Sequence, residues 1–243
     1  MHRRMYGAIG IGTVLLLAGA GTASAQVEFA GNAAVVSDYT YRGISQTLEE
    51  PAVQGGIDAS LPEGLYLGVW GSSVNFGEDL AAGARAQVEL DVYGGIARSH
   101  AGFDLDLGGI YYAYPGAAES RNYNFFELAA SLGRAFGPVS AGISGAWSPD
   151  FYAASGTGLY GSGNLSFGMP NTPISLDGSL GYQSIEDNGA FGTPDYMTWS
   201  AGASVDVLGL GIGAGLTGTD LDDGDCFSGS ELCDTRFVVS VGI

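Results

Sequence analysis

The sequence contains no lysine. Its eight cationic residues are all arginines, set against 26 carboxylates for a formal net charge of −18. Two of the eight, Arg3 and Arg4, stand at the extreme N-terminus, and the rest are scattered singly. Nucleic-acid binding needs a basic face that neutralises phosphates, and so few dispersed arginines cannot build one. Histidine is nearly as scarce: apart from His2 there is only His100. A Ser–His or Asp–His hydrolytic centre needs an imidazole base, and His100 falls in the short connection 98–101, where it reads as a solvated turn residue. Cysteine is limited to Cys226 and Cys233, which excludes a cysteine-rich metal site. No run beyond the first residues repeats apolar positions at the helical period.

What is present points outward from the cytoplasm and toward strands. The opening MHRRMYGAIGIGTVLLLAGAGTASA couples Arg3 and Arg4 to a short apolar run and the small-residue site Ala23-Ser24-Ala25. This is the pattern of a secretory signal peptide over residues 1–25, with the exported chain over 26–243. Glycine, at 42 of 243 residues, has no collagen period. Helices tolerate that much glycine badly, whereas curved sheets use it where strands bend or approach.

Period-two alternation recurs along the chain. Val88, Leu90 and Val92 alternate with Glu89, Asp91 and Tyr93; Phe103, Leu105 and Leu107 alternate with Asp104, Asp106 and Gly108. About twelve such segments fit, near 27–38, 52–61, 64–76, 86–97, 102–114, 123–136, 138–149, 158–169, 173–185, 196–207, 208–219 and 235–243. Short connections alternate with long ones, so long loops gather at one end and short turns at the other. The expected fold is all-β: a closed antiparallel transmembrane β-barrel of about twelve strands in up-and-down order. The competing β-sandwich explains alternation but not the regular loop lengths. Phe76, Tyr111, Tyr114, Trp147, Phe151, Tyr196 and Trp199 lie toward the long-loop ends and are expected to form one interfacial girdle.

If the apolar face meets lipid, the other face lines a lumen. Alternation then places Asp58, Glu89, Asp91, Asp104, Asp106, Glu127, Asp177 and Asp206 inward as pore-lining carboxylates, with Arg236 the clearest inward cation. Arg42, in SDYTYRGISQT, is expected in the first outer loop. One reading makes it a loop anchor held by Tyr39, Tyr41, Asp38, Glu49 or Glu50; others make it a contact for an anionic solute or lipopolysaccharide phosphate, or a solvated residue. Cys226 and Cys233, with six residues between them in DCFSGSELCD, read as a disulfide in an exported protein. The acidic run Asp220 to Asp225 faintly has the look of a calcium loop but lacks the spaced terminal glutamate.

SDYTYRGISQT, PAVQGGIDAS, GLYLGVWGSSVNF, ELDVYGG and YYAYPG with Tyr123 and Glu127 behind it resemble the TorF family of porin-like proteins, a Gcw-type group of conserved bacterial proteins. A second island is Cys233 to Phe237. The resemblance implies a Gram-negative outer-membrane barrel and carries no catalytic residue. At Ile243 the sequence departs from the aromatic terminus common in such barrels. Together these readings give a passive channel for small solutes or ions, preferring cations, with no cofactor, no metal and no enzymatic activity. Expected partners are outer-membrane lipid and lipopolysaccharide, the insertion machinery, and small solutes or cations. Both termini are expected to be periplasmic. The alternative is a plugged structural barrel that binds partners through acidic outer loops.

Overall fold

The computed structural model describes residues 27–78 and 84–243; the leader expected over 1–25 lies outside the described residues. The strands are β1 (Glu28–Val36), β2 (Thr40–Tyr41), β3 (Ile44–Ser45), β4 (Ala52–Ser60), β5 (Leu65–Ser73), β6 (Val88–His100), β7 (Phe103–Ala113), β8 (Phe125–Phe136), β9 (Val139–Ser148), β10 (Gly158–Gly168), β11 (Ile174–Ile185), β12 (Tyr196–Val207), β13 (Leu210–Thr219) and β14 (Arg236–Gly242). Twelve of them close into one antiparallel barrel, each paired with its neighbour in sequence and β1 sealed against β14. The remaining two, β2 and β3, form a separate hairpin inside the first long loop.

Alternation sets which side chains face out. Phe29, Val53, Ile57, Leu180 and Phe237 leave between 61% and 75% of their surface uncovered. An uninterrupted apolar exterior of this kind is costly in water, at about 25 cal/mol per Å² of apolar surface, and costs nothing against lipid. Aromatic residues mark both ends of that exterior. Tyr111, Phe126, Trp147 and Tyr182 face outward near the long loops, and Phe29, Phe103, Phe136 and Phe167 near the short turns. At the short-turn end the Arg134 guanidinium lies 4.6 Å from the Phe103 ring and 5.2 Å from that of Phe136.

The single expected girdle is therefore corrected in two ways. A second aromatic row stands at the short-turn end, and Phe76, Tyr114, Phe151 and Tyr196 do not belong to any girdle. Tyr114, Phe151 and Tyr196 are buried, and Phe76 packs against the same interior cluster. Tyr196 has inward parity on β12, and the other three sit in loops that fold over the barrel mouth, where the apolar rings fill the space the strands leave.

Glycine explains how inward tyrosines reach across the wall. In register, Asp58, Gly68 and Tyr93 lie side by side on β4, β5 and β6. A side chain at Gly68 would begin 2.3 Å from the Tyr93 ring; without one, the ring crosses β5 and its hydroxyl donates to Asp58 Oδ1 at 2.6 Å. Tyr66 does the same across Gly95, donating to Asp106 Oδ1 at 2.8 Å.

Candidate functional site

SDYTYRGISQT folds into the barrel as a tight hairpin. Arg42 and Gly43, at φ 48° and 83°, make the two-residue turn between β2 and β3, and two successive positive φ values are what a type I′ turn requires. Gly43 is needed for a second reason: a Cβ there would stand 2.7 Å from the Gly218 carbonyl oxygen on β13. The hairpin base is tied by Asp38, whose Oδ1 accepts from Ser45 Oγ at 2.7 Å and Thr47 Oγ1 at 2.8 Å. The Ser45 N–H donates to the Leu232 carbonyl at 2.9 Å, joining the first long loop to the last.

The turn carries Arg42 to the opposite wall. Its Nη2 donates to both carboxylate oxygens of Glu127 at 2.8 Å, and its Nη1 donates to Gln183 Oε1 at 2.6 Å. The guanidinium also lies 4.3 Å from the Tyr160 ring and 4.7 Å from that of Tyr41. Tyr41 and Tyr112 hydroxyls donate to Glu127 Oε2 at 3.3 and 3.2 Å. Arg42 and Glu127 keep only 7% and 2% of their side-chain surface exposed, so every donor and acceptor needs a partner here. A non-glycine residue at positive φ costs about 1–3 kcal/mol; the charged, bidentate contact offsets it.

Of the ligands expected for Arg42, only the Tyr41 ring serves. Tyr39 instead donates to Glu89 Oε1 at 2.7 Å, while Asp38 and Glu49 bind Arg236 at 3.0 and 3.2 Å. Arg236 thus fastens the first loop and is not a cation free in the lumen: its nearest carboxylates come from that loop, folded in above it.

Below the hairpin a cavity of about 340 Å³ runs toward the short-turn end. Asp58, Asp91, Asp106, Glu127 and Asp206 line it, together with Tyr66, Trp70, Tyr93 and Tyr112; the far wall is built of small residues such as Ser144, Gly145, Ser204 and Gly213. Three expected pore carboxylates lie elsewhere. Glu89 is sealed above by Tyr39, and Asp104 and Asp177 bind Ser99 and Ser166 by short hydrogen bonds near the short-turn rim, away from the cavity lining. Among the described residues no barrel-strand cation other than Arg236 faces inward: Arg98 turns out to Glu63 at 3.1 Å and Arg134 to its two rings.

The outer loops hold the cap together. Phe76, Tyr114, Tyr123, Tyr152, Phe125, Phe151 and Phe191 form a connected ring cluster, with Tyr123 and Tyr152 stacked at 4.6 Å. Burial pushes the Tyr123 hydroxyl above its ordinary pKa. Glu186 accepts the Thr157 N–H at 2.7 Å, which holds its carboxyl below the usual range. Cys226 and Cys233 are bonded, with Cα atoms 5.9 Å apart. Asp220 Oδ1 accepts the Met197 N–H at 2.7 Å, and among the described residues no group of three acidic, histidine or cysteine side chains is placed to hold a metal ion.

Replacing both cysteines with serine is expected to cost about 2–3 kcal/mol, since the bond closes a short loop, in an unfolding titration in detergent. The barrel should stay folded. Alkylation of the unreduced, denatured chain that labels both thiols would contradict the bond.

The barrel has counterparts among solved structures. A porin titled KdgM superposes with a TM-score of 0.58 at 10% identity, covering 87% of this chain and 96% of that one. A porin titled NanC superposes at 0.56 and 8% identity, covering 88% and 98%. At such identities the likeness speaks to fold alone. No curated protein matches the chain. A family model, described as a bacterial protein of unknown function, matches residues 20–242. The chain belongs to the Gcw_chp family. That match spans every strand of the barrel and both halves of the Arg42–Glu127 contact.

Proposed function

We propose that this Gcw_chp barrel is an outer-membrane channel of porin type, exported by cleavage near residue 25, whose lumen admits small solutes and prefers cations. The observation that carries the reading is the lumen itself. A closed apolar-skinned barrel encloses a cavity lined by five carboxylates, and the guanidinium that reaches it among the described residues, Arg42, is already matched to Glu127. Tyrosine hydroxyls donate to Asp58 and Asp106 and fix both carboxylates against the wall. The resemblance of RGISQT and PAVQGG to TorF porin-like proteins supports the same reading, as does the barrel fold.

The Arg42 hairpin makes the outer half of the lumen narrow, so we assign it the role of constriction. Twelve strands put both termini at the short-turn end, and we assign that end to the periplasm and the long loops to the outside. The surface-binding alternative draws on the acidic loop 220–225, where Asp222, Asp223 and Asp225 are exposed.

The experiment is fractionation combined with gel mobility. The chain should separate with the outer membrane and migrate faster unheated than boiled, because a closed barrel resists unfolding in detergent. Recovery in the soluble periplasm without a heat shift would remove the reading.

A further inference from the structure

Asp91 is the most deeply buried of the aspartates that line the cavity. It is 4% exposed and lines the cavity, yet its Oδ1 has no hydrogen-bond partner. A buried carboxylate oxygen left without a donor costs of order 1–3 kcal/mol or more, so such a group in a folded protein needs explaining. Its surroundings are aromatic. Register places Trp70 on β5 and Tyr112 on β7 directly beside it, at the side-chain spacing of cross-strand neighbours. Tyr93 follows it on the same face of β6, and all three rings line the cavity.

The chemistry that completes this arrangement is a cation with an N–H bond. Ring faces attract positive charge, and the orphan oxygen requires a donor, which a quaternary ammonium lacks. A metal ion would need several oxygen ligands, and among the described residues no acidic group of three is assembled for one. The nearby guanidinium of Arg42 does not repel such a ligand strongly, because Glu127 pairs with it in both oxygens. The space of about 340 Å³ suits a small molecule.

We propose that Asp91, with Trp70, Tyr112 and Tyr93, forms a binding site for a small protonated amine that enters the lumen from the short-turn side. The ammonium N–H donates to Asp91 Oδ1 while its alkyl portion lies against the rings. The inference rests on the channel reading and deepens it by naming a solute class.

The test uses the full chain, purified in detergent, and the fluorescence of Trp70, since Trp147 and Trp199 belong to the outer face. Ethylammonium chloride is titrated against tetramethylammonium chloride and potassium chloride at equal ionic strength. Saturable quenching by ethylammonium is expected, at least about tenfold weaker for the two other cations and for Asp91→Asn, as loss of a charged hydrogen bond requires. A Trp70→Phe chain should lose the signal, fixing its origin.

Absence of saturation, or equal saturation by all three cations, overturns the proposal. So does an Asp91→Asn chain that keeps its heat shift and binds as the parent does. The comparison of cations needs no variant, so it decides the matter even if Asp91→Asn does not fold. Binding is read without a membrane, whereas conduction is read in potassium chloride without amine. A channel that conducts but ignores ethylammonium ends this inference alone; amine binding by a barrel that never conducts ends the channel reading.

Discussion

Replacing Arg42 with alanine is expected to cost the barrel about 3–5 kcal/mol, the range for leaving one partner of a buried ion pair uncompensated. Glu127, 2% exposed in the parent, would be left with only the Tyr41 and Tyr112 hydroxyls, 3.3 and 3.2 Å away in the parent, to hold its charge. The Gln183 amide, fully buried, would lose the donor to its Oε1. Restoring neutrality at both positions tests the cause. The double change Arg42→Met with Glu127→Gln removes the orphaned charge and should recover most of the loss, since a buried pair replaced as a unit is often nearly neutral. Urea unfolding of the refolded chains in detergent measures both. A single variant within about 1 kcal/mol of the parent would mean that the contact is loose and water-filled, in the range of an exposed pair.

The second large effect concerns what the lumen favours. Asp58 and Asp106 face the cavity across β4 to β7, each held by a tyrosine hydroxyl that has crossed a glycine. Asparagine can accept the same hydrogen bonds, so replacing both aspartates removes two charges while keeping the wall. In a salt gradient the parent is expected to show a cation-selective reversal potential. The double variant should move it toward zero. The shift should be larger at low ionic strength, because a Debye length of about 8–10 Å at physiological salt shortens the reach of each carboxylate. Arg98 and Arg134 do not oppose the field, since both side chains lie on the outer surface. An unchanged potential in a variant with its heat shift intact would assign these residues to holding the wall.

How much of this was legible beforehand divides by range. The strands were readable because period-two alternation is a local signal and each barrel strand buries one face. The expected segments 52–61, 158–169 and 196–207 meet β4, β10 and β12 almost end to end. Loop lengths gave the two ends of the barrel for the same reason. The Arg42 contact was not readable, because Glu127 and Gln183 lie 85 and 141 residues away and only closure of the barrel brings them together. One local clue was present: Arg-Gly between Tyr41 and Ile44 fits a two-residue hairpin, which would have aimed Arg42 away from the nearby Glu49 and Glu50. Alternation also cannot tell which inward carboxylates meet open space. Glu89 and Asp91 share a face of β6, yet Tyr39 covers the first and leaves the second beside the cavity. The aromatic residues misled for a related reason, since parity applies to strands and Phe76, Tyr114 and Phe151 stand in loops that fold inward.

A lumen that conducts past the Arg42 hairpin should widen when the hairpin is removed. Single-channel recording in a planar bilayer tests it most directly, comparing the parent with a chain in which Thr40 to Ser45 is replaced by a two-glycine link. Small discrete steps are expected for the parent and clearly larger ones for the shortened loop, with both chains showing the heat shift of a closed barrel. Equal step sizes from the two chains, or no steps from either once insertion is demonstrated, would contradict it.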